Sequence, residues 1–401
     1  MKKMLVLMAV AFVDMIGLMI VVPMLPLYAN RMHASPTVIG FLVAAFPVAQ
    51  LTASPVWGRL SDRTGRRPVL LVGLTASMFA YAIFGFAGTL WLLFLSRFVQ
   101  GLGGGTTGVA QAYVADIMEP HERAKGLGWL SAATSLGVII GPALGSFARR
   151  AGPAAPGLVA AALCAVNIAF AWRWLPESRV ASVQPAGNVV PPLRSVSAAL
   201  REVLAHPLRP LALTIIVYAV AMLAYNATPP IFALYLFQRF GITEETIGYF
   251  FLIFGFVGVV MRFFVVGWVN DRLGELRTMR IGAVLYGTGY LLLPLARSVP
   301  MFLLFQTLLP LGTALLFPAN SALVSHNTER HEFGLMLGVQ QALRGVSSVF
   351  APIVAGFAYQ VYGPRVPFFG AAGVIAIALL LTIPLPVPHA PSAAPQATRL
   401  G

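Results

Sequence analysis

The sequence contains twelve apolar runs, and these runs constrain the fold more than any other feature. About 20 apolar residues suffice to span a membrane as an α-helix, so each run predicts a transmembrane helix. Charged residues make up only 10% of the chain, against about 25% in a typical soluble domain. The runs cover 4–28, 38–58, 68–87, 91–115, 126–147, 157–175, 208–237, 245–268, 278–296, 299–322, 334–358 and 367–387.

The longest polar gap separates the sixth run from the seventh. We therefore predict an N-terminal six-helix bundle at 1–175, a cytoplasmic linker at 176–207 and a C-terminal six-helix bundle at 208–387. The tail at 388–401 is rich in Pro and Ala and is expected to be disordered. The predicted fold class is an all-α membrane protein built from two bundles, with both termini in the cytoplasm.

The two halves also repeat a loop sequence. The loop after the second run reads GRLSDRTGRR, and the loop after the eighth reads GWVNDRLGELR. At an offset of 209 residues, Gly58, Asp62, Arg63 and Gly65 align with Gly267, Asp271, Arg272 and Gly274. Two six-helix halves in parallel repeat are typical of secondary transporters, in which the binding site lies between the repeats near the membrane midplane.

Basic residues predict the orientation in the membrane. With both termini in the cytoplasm, 18 of the 27 Lys and Arg residues fall in inner segments and 6 in outer segments. Cytoplasmic loops of membrane proteins carry this excess of positive charge. The net charge of +14 is therefore a consequence of topology and does not indicate a nucleic-acid partner. The expected partners of this monomer are a small-molecule substrate, protons and the lipid bilayer of the inner or plasma membrane.

Several motifs resemble those of the major facilitator superfamily along nearly the whole chain. GRLSDRTGRRP (58–68) is similar to that superfamily's loop 2–3 signature, while RFVQGLGGG (97–105) and GVIIGPALGS (137–146) are similar to its helix-four and helix-five motifs. FVDMIGLMIVVPMLPLY (12–28) and AYVADIMEPHER (112–123) resemble the tetracycline/proton antiporter branch of drug exporters. The resemblance implies two six-helix bundles around a central cavity and a drug:proton antiport.

We use the name gating latch for the charged loop after the second run and the acid that it is expected to meet. Asp62 and Arg66 are four residues apart, so a helical turn would place them on one side. The resemblance implies that Asp62 faces the amino end of the eleventh helix, and that Arg66 pairs with Asp116, when the protein faces outward. The alternative is that these charges serve only as topological signals. The latch comprises Gly58, Asp62, Arg63, Gly65, Arg66, Arg67 and Asp116.

Four charged residues lie well inside the apolar runs, more than three residues from either end: Asp14, Arg97, Arg262 and Arg344. Each costs about 2.5–3.5 kcal/mol at the centre of a membrane helix, so each suggests a function. Asp14 lies about 15 Å along its run, near the midplane, and is the only acid in the predicted membrane core. Burial favours its neutral form and a nearby Arg its charged form, which suits proton coupling with Arg97 as partner. The alternative is that Asp14 and Arg97 form a purely structural pair.

Six residues of the C-terminal half are candidates for substrate contact. Arg344 lies near the midplane with Gln340 one turn before it, which suits an anionic or carbonyl-rich ligand. Arg344 could instead bond an unwound carbonyl, and Arg262 could extend its charge to the cytoplasm. Three intramembrane cations against one acid favour anionic, zwitterionic or neutral amphiphiles over dications. The candidates are Arg344, Gln340, Tyr225, Asn226, Gln306 and Arg262.

The helix-five motif predicts a bend that can repack, because small residues flank its proline. Its residues are Gly137, Gly141, Pro142 and Gly145. GLGGGTTG (101–108) lacks the Lys of a phosphate-binding loop, which excludes an NTPase. The sequence contains no metal-ligand spacing, cofactor motif or nucleophile–base pair, so we expect no metal, no cofactor and no enzymatic activity.

The leading hypothesis is therefore a secondary transporter that exports small amphipathic compounds, multidrug or tetracycline-like, in exchange for protons. Three alternatives remain open at this point. The chain could transport lipid-like or organic-anion metabolites, act as a facilitator without protons, or serve as a membrane sensor that transports nothing.

Overall fold

The computed structural model describes residues 2–104, 106–119, 121–178, 195–329 and 332–386, and the described chain is almost entirely helical. Residues 179–194 of the predicted linker and the whole predicted tail, 388–401, lie outside the described residues. Within the described ranges, nine helices are long and apolar enough to cross a membrane by length and composition, with Lys3–Arg31 and Ile247–Leu273 each counted as one.

Eight helices form the first six predicted spans. The first run divides into α1 and α2 around Pro23, because proline lacks the backbone N–H that a continuous helix needs. The fourth run also divides, into α5 and α6. These helices are α1 Lys2–Val21, α2 Leu25–Arg31, α3 Pro36–Thr64, α4 Arg66–Gly85, α5 Leu90–Gly104, α6 Thr107–Ile117, α7 Arg123–Arg149 and α8 Ala155–Trp174.

The linker contributes one short helix, and seven further helices form the last six predicted spans. The eighth run divides into α11 and α12 around a π-helical turn, Met261–Val265, which contains Arg262. Such turns are rare and often lie at functional sites. These helices are α9 Val196–Ala205, α10 Pro210–Phe240, α11 Ile247–Val260, α12 Val266–Leu273, α13 Glu275–Leu292, α14 Val299–His326, α15 Phe333–Tyr362 and α16 Val366–Leu380.

Two equivalent helix pairs join the halves. α3 packs against α15, and α7 packs against α11. Under the sequence repeat α3 corresponds to α11 and α7 to α15, so one contact is the counterpart of the other. The repeat extends to the backbone, because Gly65 and Gly274 precede α4 and α13 with φ of +99° and +75°, a region that glycine adopts without strain.

We use the name outer seal for the contacts of α3 with α15 and of α7 with α11, which lie on the predicted outer side. Backbone meets backbone in this seal. A Cβ added at Gly248 would lie 1.9 Å from the Pro142 carbonyl oxygen, and one added at Gly356 would lie 2.3 Å from the Pro36 carbonyl oxygen. No side chain fits at such distances, so glycine is required at both positions.

The cytoplasmic ends of the two halves lie apart. A Cβ added at Gly58 would meet no atom within 4 Å, and the Asp62 side chain is 62% exposed. The inner helix α12 packs against α13 and α14 of its own half. Hydrogen bonds and ion pairs that join described residues of the two halves lie at the outer seal or next to it. They join Arg31 and Glu244, Thr37 and Gln360, Ser146 and Glu244, Ser146 and Gly248, and Arg150 and Tyr249. The structure is therefore inward-facing.

Candidate functional site

Asp14 is an unpaired carboxyl group in the middle of α1. Its side chain is partly exposed, and it makes no hydrogen bond or ion pair with any described residue. One turn later the Tyr81 ring packs on Gly17, where an added Cβ would lie 3.0 Å from Tyr81 Cε2. Tyr81 and Cys164 both lie within electrostatic range of Asp14. The carboxyl group can therefore gain or lose a proton without breaking an ion pair.

Arg97 is buried in α5, with 3% of its surface exposed. Its Nη1 donates to Gln100 Oε1, and its guanidinium carbon lies 4.8 Å from the centroid of the Phe46 ring. Its Nε is buried without a partner among the described residues. The expected ion pair with Asp14 is not formed in this inward-facing structure. Tyr81 is within electrostatic range of both side chains.

Arg66 organises the gating latch within the N-terminal half. Its Nε donates to Asp116 Oδ2 at 3.0 Å, and its Nη1 donates to Asp62 Oδ1 at 2.6 Å and to Ser61 Oγ at 2.7 Å. One guanidinium thus joins the end of α3 to α6. Asp62 makes no hydrogen bond to a described residue of the C-terminal half, because the inner ends of the halves are apart in this state.

The remaining latch residues shape the loop around this guanidinium. Arg63 is exposed, and Arg67 Nη2 donates to the Trp172 carbonyl oxygen. A Cβ added at Gly65 would lie 2.4 Å from Glu177 Oε2, so this glycine is required for the approach of Glu177 as well as for its positive φ.

Sequence reasoning missed the role of Glu177 and Ser178. The Glu177 carboxylate accepts from the backbone N–H groups of Arg66 at 2.8 Å and Arg67 at 3.1 Å, at the amino end of α4. A negative charge is favoured there by the helix dipole. Ser178 Oγ donates to Asp116 Oδ2 at 3.1 Å. The motif LPES after α8 was the available signal, but only the three-dimensional structure places it beside Arg66.

Arg344 and Arg262 are the exposed cations among the predicted substrate residues. Neither makes a hydrogen bond or ion pair with a described residue. Arg344 directly precedes Gly345, where an added Cβ would lie 2.7 Å from Leu51 Cδ2 of the N-terminal half. Arg344 therefore lies where α3 and α15 begin to separate toward the cytoplasm, within electrostatic range of Tyr218.

Tyr225 and Asn226 lie at the middle of α10. Tyr225 is 36% exposed and packs edge-to-face on Phe317, with ring centroids 5.9 Å apart. Asn226 Nδ2 is buried without a partner among the described residues. Because Pro229 and Pro230 have no N–H, the carbonyls of Tyr225 and Asn226 lack their normal helical donors. The two prolines thus interrupt the hydrogen-bond ladder of the continuous helix α10 and leave polar groups near its middle without helical partners.

The structure places Gln340 and Gln306 differently from the expectation of ligand contact. Gln340 is 3% exposed, and its Nε2 donates to Asn320 Oδ1 at 3.0 Å. Gln306 is 1% exposed, and its Nε2 donates to the Phe250 carbonyl oxygen at 2.7 Å. Both amides lie between helices of the C-terminal half, where a buried polar group requires a partner. They fix helix packing in this state.

The helix-five motif lies on α7, the helix of the fifth run, and it packs against α1 on one side and α11 on the other. Cβ atoms added at Gly137, Gly141 and Gly145 would lie within 2.5–2.8 Å of α1 atoms. Pro142 faces the other way, with its carbonyl oxygen against Gly248 of α11. α7 therefore connects the helix that carries Asp14 to the outer seal.

Comparison with known proteins identifies this architecture. The family model of the Major Facilitator Superfamily matches residues 7–218 and 214–400. The chain belongs to the Major Facilitator Superfamily. The chain is 31% identical over 343 residues to the class G tetracycline resistance protein of Vibrio anguillarum, covering 85% of this chain and 86% of that protein. It is 30% identical over 384 residues to multidrug resistance protein 2 of Bacillus subtilis (strain 168), covering 93% and 92% respectively.

Solved structures of Major Facilitator Superfamily proteins share the fold. The nucleoside transporter NupG superposes with a TM-score of 0.78 over 96% of this chain and 99% of that chain, at 13% identity. These findings confirm the predicted superfamily, the all-α fold class and the function as a membrane transporter of small molecules. The protein is a multi-pass protein of the inner or plasma membrane.

One contact of this superfamily member was not predicted from the sequence at all. Arg31 Nη2 of α2 donates to Glu244 Oε2 at 2.6 Å, and Glu244 follows α10 in the other half. The Glu244 residue is 2% exposed, and its carbonyl oxygen accepts from Ser146 Oγ at 2.8 Å. These residues are 213 positions apart, and no sequence pattern pairs them. Their ion pair reinforces the outer seal.

Proposed function

We propose that the protein is a proton-coupled exporter of small amphipathic compounds that works by alternating access. The observation that carries this proposal is Asp14, a partly exposed carboxyl group in the middle of the first spanning helix that has no partner among the described residues. The names of the tetracycline and multidrug resistance relatives support drug-like substrates. The protein would act as a monomer with both termini in the cytoplasm, and it would not be an enzyme.

The proton cycle follows from the two states. In the outward-facing state Asp14 takes a proton from outside, which lowers the cost of an intramembrane charge. In the inward-facing state the cytoplasmic ends are apart, and Asp14 forms no ion pair within the part of the chain that the structure describes. Contact with water on the cytoplasmic side then allows the proton to leave. The proposed coupling with Arg97 requires the two side chains to pair in another state, because in this one Arg97 contacts Gln100 and Phe46.

Transport in proteoliposomes with an imposed pH gradient tests this proposal. The proteoliposomes are screened with drug-like compounds. A substrate is a compound whose uptake into inside-out vesicles is coupled to proton movement. Asp14→Asn should abolish uphill transport and leave downhill substrate exchange intact, because the side chain keeps its size but cannot titrate. Asp14→Glu, the matched control, should retain part of the uphill transport. Full uphill transport by Asp14→Asn at neutral pH would contradict the proposal.

The charges of the candidate site favour anionic or zwitterionic amphiphiles among those compounds. Arg344 and Arg262 are exposed and unpaired among the described residues, and a guanidinium remains charged at all physiological pH values. Tyr218, which lies within electrostatic range of Arg344, packs on Phe317, and Phe317 also packs on Tyr225. We propose that Arg344 binds the negative group of the substrate, with Tyr225 and Asn226 beside it.

Arg344→Ala should therefore weaken transport of anionic substrates at least tenfold more than transport of cationic ones, since a charge-assisted hydrogen bond contributes about 1.5–3 kcal/mol. Arg344→Lys should restore little if the contact is bidentate, because an ammonium group cannot reproduce the planar fork. Equal losses for substrates of every charge would indicate a packing role instead.

A further inference from the structure

Two cavities lie on the C-terminal half, one at the residues that precede α16 and one along α16 itself. The first has a volume of about 390 Å³ and lies at the outer ends of α10 and α15, where Arg239, Arg365 and Tyr362 line it. The second, of about 480 Å³, is a groove between α13 and α16. Its lining includes Gly287, Phe369, Ala372, Gly373, Ala376 and Leu379. Neither cavity belongs to the candidate transport site between the halves.

The first cavity brings two unpaired guanidinium groups together. Arg239 and Arg365 are exposed, and neither makes a hydrogen bond or ion pair with a described residue. Topology does not account for them, because the positive-inside rule disfavours basic residues on the outer side. Tyr362 beside them is 67% exposed, as is typical of an aromatic side chain at the membrane–water interface. The cavity is therefore suited to an anionic group at headgroup level.

The groove begins at Phe369, four residues after Arg365 of the first cavity. Arg365, Phe369, Gly373 and Ala376 follow each other at spacings of four, four and three residues, which places them on one side of a helix. From Phe369 to Leu379 the groove extends about 15 Å at 1.5 Å per residue. One leaflet contributes half of a hydrocarbon core of about 30 Å, so the groove matches the depth of the outer leaflet.

We propose that this cavity and groove together bind one anionic phospholipid of the outer leaflet. Its phosphate lies between the guanidinium groups of Arg239 and Arg365, and one acyl chain occupies the groove between α13 and α16. The site accounts for both the two unpaired cations and the apolar groove below them. It is independent of the transported compound, so its test does not depend on the proposed export activity.

Native mass spectrometry of the purified full-length protein measures this binding. The protein is titrated with phosphatidylglycerol in the presence of phosphatidylethanolamine. Arg239→Gln/Arg365→Gln should weaken phosphatidylglycerol binding about 30-fold, as expected for two lost contacts between an Arg and an anionic lipid. Arg297→Gln removes an outer arginine that lies outside the cavity, and it should leave binding unchanged.

The groove has its own matched pair of variants. A Cβ added at Gly373 or at Gly370 would meet no atom within 4 Å, so both positions accept a larger side chain without a clash. Gly373→Leu fills the groove and should weaken binding about tenfold, because about two methylene groups of the acyl chain are held out. Gly370 does not line the groove, and Gly370→Leu should have no effect.

Inorganic phosphate distinguishes a lipid site from a simple anion site. If millimolar phosphate displaces phosphatidylglycerol and Gly373→Leu binds normally, the cavity binds free anions and the proposal is wrong. Equal retention of phosphatidylglycerol by the double arginine variant and by Arg297→Gln would also overturn it. Loss of binding in both the arginine variant and Gly373→Leu, with both controls intact, supports the proposal.

Discussion

Neutralising Glu244 should shift the protein toward the outward-facing state. The Glu244 carboxylate accepts from Arg31 Nη2 at 2.6 Å, and this ion pair joins the two halves only when the outer seal is closed. Glu244→Gln keeps the size of the side chain and removes its charge. The inward-facing state loses an interaction that the outward-facing state does not make.

The exposure of the two partners determines the size of the effect. The Glu244 side chain is 3% exposed, whereas the Arg31 side chain is 54% exposed. Breaking a fully buried pair costs about 3–5 kcal/mol and breaking an exposed pair about 0–1 kcal/mol, so we expect about 1–2 kcal/mol for this pair. The ratio of outward-facing to inward-facing molecules should then rise roughly 5- to 30-fold.

Distance measurement between spin labels on the outer side reports this ratio. The single cysteine, Cys164, is buried, so labels can be placed at cysteines that replace Trp91 and Leu295, which are exposed residues of the two different halves. The fraction of long distances should rise in Glu244→Gln. Glu245→Gln, which changes the exposed neighbouring acid, is the matched control. Identical distance distributions in the two variants would refute the reasoning.

Two further substitutions test the surfaces that close in the two states. Gly248→Ala should prevent full closure of the outer seal and lower transport at least tenfold, because its Cβ would lie 1.9 Å from the Pro142 carbonyl oxygen. Gly258→Ala, whose Cβ would meet only Pro310 Cβ at 3.6 Å, is its control. Equal distances between the outer-side spin labels in the two variants would contradict this prediction. Asp62→Asn should reduce uphill transport with unchanged membrane insertion. The gating latch would lose the charge that is expected to face the amino end of α15, the helix of the eleventh run, in the outward-facing state. An outward-facing structure with Asp62 more than about 6 Å from α15 would contradict the gating role, because the dipole effect is confined to the first turn.

Sequence length and pattern predicted the fold class because a membrane leaves few alternatives to helices of about 20 residues. Side-chain direction was harder to predict. Gln340 and Arg344 lie one turn apart, yet Gln340 is 3% exposed and bonded to Asn320, whereas Arg344 is exposed. The buried face of α15 therefore includes Gln340 and excludes Arg344. Where this face ends depends on packing against α14, which the sequence of α15 alone does not encode.

Contacts across long sequence separations could not be predicted for a related reason. The Arg31–Glu244 pair depends on which state the halves adopt, and the sequence encodes both states at once. The absence of an Asp14–Arg97 ion pair has the same origin, since packing around Tyr81 and Phe46 sets the direction of Arg97. Glu177 was accessible only in hindsight, through its position at the end of α8.

The backbone-to-backbone packing of the outer seal limits how sequence variation can adjust this transporter. At Gly248 and Gly356 any substitution adds atoms where none fit, so every change at these positions acts in one direction, against closure on the outside. The inner surfaces have no such restriction, because Gly58 and Asp62 face open space in this state. Selection for altered transport rates can therefore act in small steps on the cytoplasmic side, while these two positions of the outer seal tolerate almost no change.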